Sequence, residues 1–122
     1  MKYLLAAAAL LASTIAPAAA VSGANDSLIL PPAVYDKPFP GRVIENTAVD
    51  MDDMAGLCSP NPKAGIAMGC SIHFDDSLTG KPRACYVYFA PDWYLQRFSV
   101  TREAVRRHEI AHCNGWPQSH PR

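Results

Sequence analysis

Four cysteines, Cys58, Cys70, Cys85 and Cys113, spread through a 122-residue chain constrain its fold more than any other feature. In a short exported protein an even number of cysteines reads as a disulfide framework, because an oxidising compartment keeps thiols paired and a small core needs covalent support. No Cys-x-x-Cys pair occurs. That spacing weighs against a cysteine-rich zinc site and for two disulfides, with three pairings open.

The premise of export comes from the N-terminus. Lys2 makes a positive start, residues 3–15 are largely apolar, and Ala18-Ala19-Ala20 offers a small-residue cleavage site, so residues 1–20 read as a secretory signal peptide. The mature chain is then expected in the periplasm or outside the cell. The apolar run is too short to span a bilayer with polar flanks, so no stable membrane association is expected after cleavage. Removal of Lys2 from a balance of 11 basic and 11 acidic residues leaves a nearly neutral protein. Such a charge gives no footprint for nucleic acid. Residues 21–122 suit one small domain, expected to be a monomer.

Pro31, Pro32, Pro38 and Pro40 predict that residues 21–41 run extended over the surface, forming neither helix nor inner strand. Residues 42–46 can form a short strand. Asp50, Asp52 and Asp53 lie in an acidic loop or helical turn; they lack the Gly and final Glu of a calcium loop, and read as a solvated cluster. Residues 66–74 alternate, with Ile66, Met68, Cys70, Ile72 and Phe74 expected to face the core and Ala67, Gly69, Ser71 and His73 to face away. Turn residues follow at 75–82, and residues 84–89 form a second strand, so the two should pair as a hairpin. If their apolar faces match, Cys70 meets Cys85, and Cys58 is left for Cys113. Asp92 is expected to cap a short helical turn, and Ser99 or Thr101 to cap a longer helix running to Asn114.

That longer helix carries the chemistry. His108 and His112 are four residues apart, on one face about 6 Å apart at Cβ, so both imidazoles can reach one metal ion. Glu109 sits about 100° further round, which takes its carboxylate past the metal to where a general base acts on water. Asn114-Gly115 is a helix stop and Pro117 cannot continue the helix. The turn Trp116-Pro117-Gln118-Ser119 brings back His120, the expected third ligand; His73 is the substitute. Tyr86, Tyr88 and Tyr94 are candidates for an oxyanion donor, though aromatic packing explains each of them. Arg106 and Arg107 read as a solvated helical face.

His108-Glu109-Ile110-Ala111-His112 is the HExxH pattern, and the stretch resembles the zincin metallopeptidases. With Gly115 it looks most like the metzincin start, HExxHxxG, with a displaced third histidine, since the metzincin position falls on Gln118. The longer form through Trp116, His120 and Pro121 is similar to small exported bacterial proteins. The resemblance implies an α+β fold, a small disulfide-stapled zincin-like domain in which a short antiparallel sheet packs on one active-site helix. It also implies a zinc cofactor held by His108, His112 and His120, Glu109 as catalytic base, and a peptide or protein substrate. The alternative is a non-catalytic, disulfide-stapled binding or accessory protein with structural zinc or none.

Overall fold

A computed structural model of the chain describes residues 23–58 and 67–122. The expected signal peptide and the start of the first hairpin strand at Ile66 lie outside the described residues. The chain forms α1 (Asp26–Ile29), β1 (Arg42–Thr47), α2 (Met51–Cys58), β2 (Gly69–Asp75), β3 (Pro82–Phe89), α3 (Asp92–Arg97) and α4 (Arg102–Cys113). The architecture is α+β, with one three-stranded sheet in the order β1-β3-β2. No helix among the described residues is long and apolar enough to cross a membrane.

The sheet is mixed. β2 and β3 form the expected antiparallel hairpin, with Ser71 opposite Val87. β1 instead pairs with β3 in parallel, Val43 opposite Cys85, which corrects the expectation of a purely antiparallel sheet. β2 runs opposite to β1, and the hairpin after it returns the chain so that β3 lies between them. In the hairpin turn, Asp76 Oδ1 accepts from the backbone N–H groups of Leu78 and Thr79 at 3.0 and 2.9 Å. These bonds hold the Asp76 carboxyl below the usual carboxylate range. Gly80 supplies the positive φ, +66°, that closes the turn.

α4 lies across one sheet face. Cys85, Val87 and Phe89 on β3 point to it and are fully buried. Pleating puts their cross-strand partners His73, Ser71 and Gly69 on the same face and sends Cys70, Ile72 and Phe74 to the other. The expected faces of β2 are therefore reversed. Ile72 and Phe74 are about half exposed at 48% and 53%, and Phe74 packs edge-on against Tyr86 on that outer face. Gly69 explains the reversal: a Cβ there would stand 2.6 Å from Val105 Cγ1 and 3.1 Å from Glu109 Cγ. The strand face with the smallest residues is the one that lets the helix come close.

The reversal also decides the disulfides. Cys70, opposite Tyr88, cannot meet Cys85, which lies three positions away in register and on the other face. The bridges are Cys58–Cys70, tying α2 to the edge strand, and Cys85–Cys113, tying the central strand to the end of α4. Both correct the expected pairing. Met54, Leu95, Val100 and Val105 complete the core with Phe89 and Val87.

Residues 23–41 depart from a simple extended wrap. One helical turn, α1, forms ahead of Pro31, and its Asp26 carboxylate accepts from Thr101 N at 2.8 Å and from Thr101 Oγ1 at 2.6 Å. Thr101 in turn caps α4 by accepting from Ala104 N at 3.1 Å. The N-terminal segment thus fixes the start of the functional helix. Asp92 is the first residue of α3 and not its cap, a place taken by Pro91. In the acidic stretch Asp50 Oδ1 accepts from Asp53 N, and Asp53 Oδ2 from Val49 N, both at 2.8 Å, so these carboxylates close the N-terminus of α2.

Candidate metal centre

α4 presents His108, Glu109 and His112, and its ending places the rest. The N–H of Gly115 bonds to His112 O and that of Trp116 to Ala111 O, with Gly115 at φ +97°. This is a Schellman stop, in which only glycine takes the left-handed position without strain. The chain then turns at Pro117, whose carbonyl accepts from His120 N at 2.9 Å. His120 itself has φ 54°, in the left-handed region.

The result is a triangle of imidazole nitrogens. The Nε2 atoms of His108 and His120 are 3.1 Å apart, those of His112 and His120 3.1 Å, and those of His112 and His108 3.3 Å. Ligand nitrogens in a tetrahedral site at about 2.0–2.1 Å from an ion are separated by about 3.3 Å. The other ring nitrogens are tied back: His108 Nδ1 donates to Ile29 O at 2.6 Å and His112 Nδ1 to Trp116 O at 2.7 Å. A neutral imidazole that donates from Nδ1 carries its lone pair on Nε2. Lone pairs converging at this distance repel one another unless a cation lies between them. The three histidines can therefore hold a metal ion, and they form a group of metal-ligating side chains among the described residues.

Burial favours the ligand form. It pushes His108 down to about 4 against the pull of the Ile29 carbonyl, and lowers His112 likewise against the Trp116 carbonyl. Trp116, almost wholly buried, stacks on His112 with an interplanar angle of 12° and donates from Nε1 to Pro121 O at 3.0 Å. Arg122 donates to Leu28 O at 2.9 Å, on the same turn whose Ile29 carbonyl holds His108. Both ends of the described chain thus meet at the histidines.

Glu109 lies beside them in the same cleft, of about 670 Å³, which Ile29, Met68, Gly69, Ser71 and Val105 also line. Its side chain is buried, and Ser71 Oγ stands 2.9 Å from its backbone carbonyl and 3.0 Å from Oε2. One hydroxyl proton serves only one of these acceptors at a time. With Glu109 ionised Ser71 donates to Oε2; with it protonated the carboxyl donates to Ser71, whose own proton is free for the carbonyl. Burial pushes Glu109 up to about 7, opposed by the Ser71 bond.

His73 is exposed and stands apart from the triangle. Tyr94 is in the core against Trp93 and Phe98, and Tyr86 and Tyr88 sit on the outer sheet face. Arg106 pairs with Glu45, and Arg107 with Asp36, so these arginines bind neighbouring segments to α4. Sequence reasoning missed Ser71, Trp116 and Ile29. Gly69 within a strand was a usable signal for close approach of another element, but not for the role of Ser71. Ile29 acts through its carbonyl, which no side-chain pattern reports. Comparison of the chain with protein-family models, with curated proteins and with solved structures finds no match.

Proposed function

We propose that the chain is an exported, zinc-dependent hydrolase of peptide bonds. The observation that carries this reading is the conjunction of three convergent imidazole nitrogens with a buried glutamate in one cleft. Three neutral histidines are a donor set suited to zinc and leave one coordination position open. When bound, zinc supplies a Lewis acid that makes water nucleophilic near neutral pH and polarises a carbonyl. Glu109 takes the proton of the attacking water and returns it to the leaving amine. Gly69, Cys70 and Ser71 of β2 line the cleft, and β2 is an edge strand, which supports main-chain pairing with an extended peptide substrate. The two disulfides support an oxidising setting for this activity.

A second reading, zinc as a staple in a non-catalytic accessory protein, is favoured by the ties of Trp116 to Pro121 and Arg122 to Leu28, which gather both ends of the described chain at the histidines. One comparison separates the two. In the Glu109→Gln variant, zinc content and fold are expected to persist while hydrolysis of a peptide library falls about 100-fold or more. Equal cleavage by parent and variant places the base elsewhere, and a zinc-loaded parent that cleaves nothing supports the staple.

A further inference from the structure

We propose that Ser71 is a positioning residue for Glu109, holding its carboxyl in the orientation in which it meets the attacking water. This inference rests on the hydrolase reading. A glutamate side chain rotates about three bonds, and a base must stay within hydrogen-bond reach of the proton it takes. Helix geometry fixes only where the Glu109 side chain leaves α4. Among the described residues, the side chain that then engages its carboxyl is Ser71, 3.0 Å from Oε2, and the same hydroxyl lies 2.9 Å from the Glu109 carbonyl. With Glu109 ionised, the Ser71 proton goes to Oε2 and sets the direction of the carboxyl.

The surroundings are shaped for this contact. Ser71 lies opposite fully buried Val87 on the face that α4 covers, which turns its hydroxyl toward the helix. Two residues earlier on that face, Gly69 lets Glu109 Cγ come to within 3.1 Å of where a Cβ would stand. A bare position followed by a short hydroxyl makes a slot for one glutamate side chain. Ser71 touches neither the metal ligands nor the scissile bond in this account, and acts through Glu109.

The test compares the zinc-loaded parent with Ser71→Ala and Ser71→Thr, in zinc content, in hydrolysis of a peptide library and in crystal structures. Ser71→Ala is expected to keep parental zinc, to lose at least tenfold in kcat with KM within twofold of the parent, and to show the Glu109 carboxyl displaced from β2. Ser71→Thr, which keeps the hydroxyl, is expected to recover most of the rate. A Glu109 carboxyl in its parental orientation in the Ser71→Ala crystal overturns the proposal, as does parental kcat in that variant, loss of zinc together with rate, or a Ser71→Thr variant as slow as Ser71→Ala. If the parent hydrolyses nothing but Glu109 is displaced on loss of the hydroxyl, the hydrolase reading fails while the positioning stands.

Discussion

Glu109 is the residue with the most at stake, because its carboxyl is buried beside three imidazoles that must remain neutral to bind an ion. Its folded value, raised by burial to about 7 from an ordinary 4.5, means that the metal-free protein holds this proton more tightly than the unfolded chain does. The stability so contributed is full below 4.5 and is lost as pH rises through about 7. His108, lowered to about 4, and His112 pull the other way over the same window, so the Glu109 share is read as a difference: in thermal melts of chelator-treated protein, the parent's Tm relative to that of Glu109→Gln should fall between those limits. An unchanged slope in the variant assigns the effect to another group. His108 and Glu109 were legible in the sequence because i, i+4 spacing and helical rotation follow from the backbone alone. What Glu109 leans on was not, since Ser71 is 38 positions away in sequence.

Among the elements, the contact between β2 and α4 decides whether the site exists. Gly69→Ala would place a methyl group 2.6 Å from Cγ1 of Val105, a β-branched helix residue with little rotamer freedom to turn away. The helix must lift from the strand, at a cost of about 1–3 kcal/mol. Urea melts of Gly69→Ala measure it, and a midpoint equal to the parent's would mean that the helix does not approach as closely as this. The same contact explains why the hairpin was legible and its faces were not. Alternation marks a strand whichever face is covered, and Ile72 and Phe74 are apolar enough to suggest the core while lying on the outer face. The parallel pairing of β1 with β3 depends on β3 entering between β1 and β2, a non-local arrangement for which no local turn residue gives a signal.

At the scale of the whole molecule, two disulfides and the turn that returns His120 to α4 join parts of the described chain that are distant in sequence. Cys85–Cys113 joins the central strand to the last residue of α4, across 28 positions of sequence. Replacing both cysteines by alanine should destabilise the domain by about 2–4 kcal/mol in denaturant melts. A change well under 1 kcal/mol would show that packing alone seats the helix. Cysteine count pointed to two bridges from the sequence, but pairing is a property of the sheet register and became readable only with it. The helix stop at Asn114-Gly115 was legible for the opposite reason, being local chemistry. The return of His120 follows from that stop, and the anchoring of its turn by Trp116 and Arg122 does not. Whether His108, His112 and His120 together hold one metal ion is read most directly from the zinc content of the folded protein after zinc supplementation and gel filtration. About one zinc per chain is expected in the parent and in His73→Ala, with sharply weaker retention in His112→Ala and His120→Ala. Near-zero zinc in the parent, or a loss on replacing His73 and none on replacing His120, would overturn the three-histidine site.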